Sequence, residues 1–314
     1  MADVHGILLL DKPLGLSSAG AVARVKRLLG AAKAGHTGSL DPLASGMLPI
    51  CLGEATKFGA LLLESDKSYR VSVRLGERTA SADLESPVIE RRPLPPLEQG
   101  DLESALAQFP RDYLQVPPMH SAIKQGGRPL YEYARAGQTR ERAARHIRVH
   151  ALHLLAWRAP DLEFDVRCSK GAYIRVLAED IAARLDTVGH VTALHRRGVA
   201  PFLEERCTPL ATLESLSLAE RHALLKPVDA ALSGWRRFDL APTDVAAFRQ
   251  GQSVWIGPQA VGGGAALNAD ARSAAATEAP QAPVRVYAEG PGFLGLGALQ
   301  PEGRLRPLRL IASG

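Results

Sequence analysis

An α+β fold is predicted for about the first two thirds of this 314-residue chain, a length that allows more than one domain. Apolar and polar residues alternate strictly over Tyr69–Leu75 and Leu162–Cys168, which predicts two strands that each bury one face. Apolar residues at helical spacing follow the second strand, from Ile174 to Leu185. Because strands and helices do not alternate regularly, a doubly wound parallel sheet is not expected.

The alternation also fixes the direction of individual side chains. Tyr69 begins the apolar row of the first strand and is expected to face inward. The break at residues 169–171 places Tyr173 and Arg175 in the first turn of the helix that follows the second strand. Further helices are predicted by their apolar spacing at Ser18–Leu29, Asp101–Phe109 and Leu218–Leu225.

Composition changes near residue 233, which suggests a domain over residues 1–232 and a second over residues 233–314. The second part contains short β-type runs separated by glycine and proline, as expected for a small β-barrel. These runs are Ser253–Ile256, Val284–Tyr287, Phe293–Gly297 and Leu308–Ile311. Residues 259–283 contain three consecutive glycines and ten alanines without apolar periodicity, so we expect a flexible insertion in a loop.

The net charge of +5 is concentrated in one segment, where six arginines between Arg128 and Arg148 face only Glu132 and Glu141. Such a run fits either a solvated helix face or an arm that contacts phosphates, and composition does not decide between them. The three cysteines show no metal-type spacing, so reduced thiols without zinc are expected. The apolar run from Ile7 to Leu10 is too short for a signal peptide or a membrane span, which favours the cytoplasm.

Asp41 is the only formal charge between Lys33 and Glu54. Its neighbour Pro42 fits a helix that begins with Asp41 as N-cap and proline in the first turn. The loop before it is rich in glycine and small polar residues, which also allows close approach by a ligand. A carboxylate among apolar residues either rises in pKa or needs a distant cation, so an ionised nucleophile here requires a partner from elsewhere in the chain.

Five stretches stand out in order along the chain: GILLLDKP (6–13), HTGSLDPLASGMLPICLGEATKF (36–58), DKSYRV (66–71), VPPMHSAIK with RPLYEYAR (116–135) and CSKGAYIR (168–175). They resemble motifs of the bacterial tRNA pseudouridine-55 synthases, the TruB-type pseudouridine synthase family. One match could be chance, but five in the right order are specific. The resemblance covers about residues 6–230, and the remainder resembles the small RNA-binding PUA-type domain of that family.

The resemblance implies a mixed, largely antiparallel sheet and a catalytic set. Asp41 would attack the target uridine at the ribose C1′ or the base C6, and Arg175 would pair with it and keep it ionised in a dry pocket. Tyr69 would stack on the target base, while Tyr173 and Leu194 would contact the substrate. Without the motifs, Tyr69 and Leu194 also fit ordinary core packing, and Arg175 fits an exposed helix position.

The resemblance also implies how RNA is bound. His36 would fill the space left by a flipped nucleotide, although a lone histidine is more often a loop residue. Residues 124–148 would clasp the RNA, with Lys124, Arg128 and Arg135 as candidates for backbone contacts. The implied substrate is the uridine in the T-loop of tRNA. No cofactor or metal, no membrane association and no obligate protein partner are expected, and a monomer is the default.

Two other functions remain compatible with the residues. An RNA chaperone would use the basic surface and the terminal barrel, and Asp41 would then be only a helix cap. A nucleoside glycosylase would use Asp41 to stabilise a departing base, and it would release free uracil. Isomerisation releases nothing and leaves the mass of the RNA unchanged.

Overall fold

The computed structural model describes residues 4–257, 283–290 and 292–312. Within these residues the chain forms two main sheets with helices packed around them. Nearly all of the predicted Gly/Ala-rich insertion, residues 259–282, lies outside the described residues. The mixed α+β class predicted from the sequence is confirmed.

The larger sheet has nine strands in the part of the chain that the structure describes, in the order β13-β1-β3-β12-β4-β11-β10-β7 with β2 on β3. Two strand pairs, β1 with β13 and β3 with β12, are parallel, and the other pairs are antiparallel. Two short hairpins, β5–β6 and β8–β9, lie outside it. The strand bounds are β1 Gly6–Lys12, β2 Ala34–His36, β3 Ala44–Leu52, β4 Lys67–Leu75, β5 Glu77–Thr79, β6 Val88–Arg91, β7 Asp112–Gln115, β8 Lys124–Gln125, β9 Arg128–Pro129, β10 Arg145–Arg158, β11 Asp161–Cys168, β12 Gly189–Val199 and β13 Thr208–Pro209.

The strand β4 lies near the middle of this sheet, and its sequence shows why. Tyr69, Val71, Val73 and Leu75 are all buried on one face, while Arg70 and Arg74 are exposed on the other. The exposed arginines pair with Asp165 and Asp161 of the neighbouring β11. The inward direction predicted for Tyr69 is therefore confirmed.

The four predicted helices are present, with ends that differ by one or two residues from the prediction, and four other helices among the described residues were not predicted. Ser17 caps the first of them, because its side chain accepts the Gly20 N–H. The bounds are α1 Ser18–Leu28, α2 Gly59–Leu63, α3 Gln99–Ala107, α4 Leu130–Arg135, α5 Ile174–Arg184, α6 Leu210–Ser215, α7 Leu218–Ala223 and α8 Pro242–Arg249. Short 3-10 helices lie at Gly53–Lys57 and Ala230–Leu232.

The second sheet forms the small C-terminal barrel-type unit, with strands in the order β14-β16-β17-β18-β15. The last strand begins at Arg304, several residues before the predicted start at Leu308. The prediction missed this earlier start because arginine and proline interrupt the apolar residues there. The strands are β14 Arg237–Leu240, β15 Val254–Trp255, β16 Val284–Ala288, β17 Phe293–Leu299 and β18 Arg304–Leu310.

An aromatic contact joins the two sheets. Phe58 follows the 3-10 helix after β3, and its ring centroid lies 5.6 Å from that of Phe293 in β17. Leu232, Tyr287 and Leu296 complete this apolar cluster. The strand that follows Asp41 thus leads directly into the contact with the C-terminal sheet. No helix in residues 4–257, 283–290 and 292–312 is long and apolar enough to cross a membrane.

Phe164 in β11 provides a test of this core, because it is fully buried and belongs to the main apolar cluster. We expect Phe164→Ala to reduce the free energy of unfolding by about 3–5 kcal/mol, measured by urea denaturation. The matched control is Leu114→Ala, whose side chain is 67% exposed. A Phe164→Ala protein as stable as the Leu114→Ala protein would contradict the described core.

Candidate active site

A cleft of about 640 Å³ opens beside the middle of the larger sheet. All five residues predicted to touch the reacting uridine line it, although they come from separate parts of the chain. They are Asp41 in the turn before β3, Tyr69 in β4, Tyr173 and Arg175 at the start of α5, and Leu194 in β12. The tertiary structure therefore brings the predicted set together around one cavity.

Asp41 lies in a tight turn and not at the start of a helix. The Ala44 N–H donates to the Asp41 carbonyl at 3.0 Å, and the chain enters β3 at once. The helix N-cap interpretation of Asp41 and Pro42 is therefore wrong. The β-type pairing of Ala44 and Gly46 with β12 extends the chain and leaves no room for a helical turn.

The Asp41 carboxylate pairs with Arg175. A guanidinium nitrogen, Nη2, lies 3.0 Å from Oδ2 of Asp41. The Arg175 side chain is only 7% exposed, whereas that of Asp41 is 44% exposed. The predicted pairing is present. The expectation of a dry pocket is wrong for the chain alone, because the Asp41 carboxylate lies at the open wall of the cleft.

Arg175 is held from several directions, which fixes the orientation of its planar fork. Nη1 donates to the Ser81 carbonyl at 2.9 Å, and Nη2 also donates to the His120 carbonyl at 2.7 Å. On its other edge, Nε lies 3.5 Å from the buried carboxylate of Asp83. The cation is thus shared between an exposed and a buried carboxylate.

Asp83 was not predicted from the sequence. It lies in the loop that follows β5, and its side chain is buried. Its carboxylate also accepts the Glu85 N–H at 2.9 Å and the Ser81 hydroxyl. No local pattern distinguishes this residue from a loop aspartate, because its importance depends on the approach of α5 in space.

The two tyrosines form the apolar part of the cleft. Tyr69 is 8% exposed, and burial raises the pKa of its phenol to about 12. Burial also raises the pKa of Tyr173. Gln115 fixes the backbone of Tyr173, since its amide accepts the Tyr173 N–H at 2.7 Å and donates to the Tyr173 carbonyl at 3.2 Å. The start of α5 is therefore tied to β7.

Two buried lysines, Lys12 and Lys67, lie near the turn that carries Asp41. Burial lowers the pKa of Lys12 and of Lys67 to about 8 in each case. Lys12 donates to the carbonyls of Pro13 and Leu16, so it stabilises the backbone that follows β1. Lys67 donates to the Leu63 carbonyl at 2.8 Å at the end of α2.

His36 lies outside the residues that line the cleft, and so do Lys124, Arg128 and Arg135 of the basic arm, whereas Arg145, His146 and Ile147 at the end of the arm form part of its wall. His36 ends β2, and its Nδ1 is buried without a hydrogen-bond partner in the described part of the chain. Burial is the main cause that lowers its pKa, followed by the charge of Arg196, so the ring is neutral near pH 7.

The arm at residues 124–148 is not one solvated helix, so that interpretation of the arginine run is wrong. It consists of the β8–β9 hairpin, the short helix α4 and an extended segment that enters β10. Lys124, Arg128 and Arg135 are all exposed. Arg128 pairs with Glu132 at 3.2 Å, and Arg135 lies over the ring of Tyr131. Glycines at positions 126 and 137 adopt positive φ and interrupt any longer helix.

The described residues contain no group of three or more histidine, cysteine or acidic side chains placed to hold a metal ion. The arrangement instead offers an accessible carboxylate, a fixed guanidinium and an apolar wall with two tyrosines. A carboxylate of this kind can act as a nucleophile and as a leaving group, and no imported group is needed for that chemistry.

Comparisons with known proteins cover nearly the whole chain. A family model described as "TruB family pseudouridylate synthase (N terminal domain)" matches residues 26–174. Models for the tRNA pseudouridylate synthase B C-terminal domain and for the pseudouridine synthase II TruB C-terminus match residues 175–233 and 238–311. A protein of Sodalis glossinidius named tRNA pseudouridine synthase B is 47% identical over 99% of this chain and 96% of its own length.

The chain belongs to the TruB family of pseudouridine synthases. It is therefore an isomerase. A protein of Burkholderia lata, also named tRNA pseudouridine synthase B, is 52% identical over 80% of this chain and 78% of its own length. A solved archaeal box H/ACA sRNP Nop10–Cbf5 complex contains a chain with the same fold, at a TM-score of 0.69 and 22% identity, covering 98% of this chain and 86% of that one.

Asp83→Asn tests the second carboxylate of the site. Without its charge, the Nε edge of Arg175 loses an ionic partner, and the guanidinium can turn away from Asp41. We expect the single-turnover rate of pseudouridine formation to fall by about tenfold or more, because small errors in position have large effects on rate. The control is Asp180→Asn, a half-buried carboxylate on the same helix as Arg175. Equal rates for the two variants would contradict a role for Asp83.

Proposed function

We propose that this enzyme converts a uridine in the T-loop of tRNA, uridine-55, to pseudouridine, with Asp41 as the nucleophile. The single observation that carries the proposal is the pair of Asp41 and Arg175 at 3.0 Å on the wall of a cleft that also contains two tyrosines. Relatives that are named tRNA pseudouridine synthase B support tRNA as the substrate.

The chemistry requires a carboxylate that remains ionised until it attacks. Arg175 pairs with the Asp41 carboxylate and fixes its orientation, and Arg175 itself is kept in place by the carbonyls of Ser81 and His120. Attack at the ribose C1′ displaces uracil directly, and attack at C6 activates the base for the same cleavage. In either route the bond from C1′ to N1 breaks and the uracil turns. C5 then bonds to C1′, the proton on C5 is lost, N1 gains a proton and Asp41 is released.

The apolar residues serve the base while it turns. Tyr69 and Tyr173 present aromatic surface to the cleft, on which a uracil ring can stack. Leu194 lies in β12, directly opposite Val71 of β4, and closes the floor of the cleft. Stacking on these surfaces does not fix one rotational orientation of the ring, so the detached uracil can turn while it stays in the cleft.

A uridine inside a folded RNA loop reaches Asp41 only when it leaves the base stack. Loss of stacking costs a few kcal/mol, and a side chain that fills the vacated space recovers part of it. His36 suits this task because its ring is neutral near pH 7 and its Nδ1 has no hydrogen-bond partner among the described residues. RNA can supply that partner.

The arm at residues 124–148 supplies affinity for RNA. Its hairpin and short helix present Lys124, Arg128 and Arg135 to solvent. The arm begins near His120, whose carbonyl accepts a hydrogen bond from Arg175. An RNA clasped by the arm would thus lie beside the catalytic pair.

The remaining parts of the chain complete the proposal. Residues 1–232 form the catalytic domain, and residues 233–314 form a PUA-like RNA-binding domain. We place the enzyme in the cytoplasm, together with its proposed tRNA substrate. We also propose a monomer, because the site needs no residue from a second chain. An RNA chaperone is the alternative, and the basic arm is the observation in its favour.

Asp41→Asn separates these functions. The amide keeps the shape of the side chain but is a poor nucleophile, so conversion of a T-arm hairpin should fall below detection by carbodiimide-dependent primer extension. The affinity for the hairpin should stay within about threefold, because phosphate contacts dominate binding. A chaperone would keep its activity in this variant.

The control for Asp41→Asn is Asp161→Asn, an exposed aspartate that pairs with Arg74 on the outer face of the sheet. It should convert the hairpin at the rate of the unaltered enzyme. Normal conversion by Asp41→Asn would refute the proposed mechanism. Release of free uracil by the unaltered enzyme would instead indicate a glycosylase.

The basic arm makes a separate prediction about salt. Replacement of Lys124, Arg128 and Arg135 by alanine removes up to three phosphate contacts, and each contact contributes about one unit to the slope of log K against log salt. We therefore expect the slope for hairpin binding to become shallower by about 2–3 units. Replacement of Arg78, Arg91 and Arg92, which lie around the β5–β6 hairpin, should leave the slope unchanged. Identical slopes for both triple variants would exclude the arm from RNA binding.

A further inference from the structure

Arg196 is a buried cation that the mechanism above does not use. It lies in β12, two residues after Leu194, and is 1% exposed. No carboxylate in the described part of the chain lies within ion-pair distance of it, whereas Arg197 next to it is exposed and pairs with Asp165 at 2.6 Å. A buried charge without a counter-charge is costly, and an apolar side chain would fill the same space without that cost.

The Arg196 guanidinium donates to three backbone carbonyls around Asp41. Nε donates to the Met47 carbonyl at 2.7 Å, Nη2 to the Gly38 carbonyl at 2.9 Å and Nη1 to the Ser39 carbonyl at 3.3 Å. These carbonyls lie on both sides of Asp41 in the sequence. The fork of one side chain therefore joins the two ends of the catalytic loop, residues 38–47.

The packing of the sheet leads to the same conclusion. Arg196 pairs with Gly46 of β3 on one side and with Tyr69 of β4 on the other, so the three residues form a row across the sheet. A Cβ at Gly46 would lie only 2.3 Å from the Arg196 carbonyl oxygen, so the close approach of the two strands requires glycine there. The guanidinium is also a polar neighbour of the Tyr69 hydroxyl.

We propose that Arg196 is a positioning residue for the isomerisation, which holds the loop of Asp41 and the phenol of Tyr69 in a fixed relation across the cleft. The proposal rests on the roles proposed above for those two residues. A guanidinium can only donate, so the hydroxyl oxygen of Tyr69 faces it as the acceptor. The O–H hydrogen of Tyr69 then points away from Arg196.

Arg196→Lys tests this role, because an ammonium keeps the charge but cannot form the planar fork that reaches all three carbonyls. We expect the single-turnover rate constant with a T-arm hairpin to fall by about 10- to 100-fold, as a small shift of a catalytic group can do. The dissociation constant of the hairpin should change by less than about threefold, because phosphate contacts dominate it. Arg197→Lys is the matched control and should retain the rate of the unaltered enzyme.

The rate constant and the amplitude of the single turnover distinguish positioning from folding. A purely structural role would reduce the amplitude, which reports the active fraction, and would leave the rate constant of that fraction unchanged. A double-mutant cycle with Tyr69→Phe adds a second criterion. If Arg196 acts partly through the phenol, the fold-loss in rate constant of the double variant will be smaller than the product of the fold-losses of the two single variants.

Each outcome has a definite meaning. A normal rate constant in Arg196→Lys, or losses that multiply fully in the cycle, would overturn the proposal. If circular dichroism shows that Arg196→Lys is unfolded, Arg196→Gln is tested in its place. If both variants are unfolded, Arg196 is required for folding, and the proposal is overturned. Failure of the unaltered enzyme to modify the hairpin would instead refute the proposed function.

Discussion

The ion pair of Arg175 with Asp41 is the interaction on which the rest of the site depends. A carboxylate that is 44% exposed has little reason to keep one orientation, because water competes for it. Arg175 supplies that orientation, since its own fork is buried and held by the Ser81 and His120 carbonyls and by Asp83. The fixed orientation of the buried cation thus also orients the accessible carboxylate of Asp41.

The larger sheet makes this arrangement possible. β3, β12 and β4 are adjacent, so the turn of Asp41, the apolar Leu194 and the phenol of Tyr69 meet at one end of three paired strands. The start of α5 is tied to β7 by Gln115, and β7 leads through residues 116–123 into the basic arm. The arm that would bind RNA and the start of α5, which carries Arg175, are therefore both connected to β7.

The parts of the fold that were predicted correctly carry a strong periodic signal. The alternation in Tyr69–Leu75 and the helical spacing after Ile174 match β4 and α5, because a half-buried element imposes its period on the sequence. Signals without a period were misleading. Asp41 and Pro42 resemble a helix start, and the arginine run resembles a helix face, but strand pairing and glycines decide both segments.

The sequence by itself determined the fold class and the inward direction of Tyr69, and the order of its motifs indicated five of the residues that line the cleft. Only the tertiary structure showed that Asp83 shares Arg175 and that Arg196, and not its neighbour Arg197, donates to carbonyls on both sides of Asp41. Arg196 and the Met47 carbonyl are 149 residues apart in sequence. Contacts over such a separation arise from strand pairing and burial, and a linear pattern of residues does not record them.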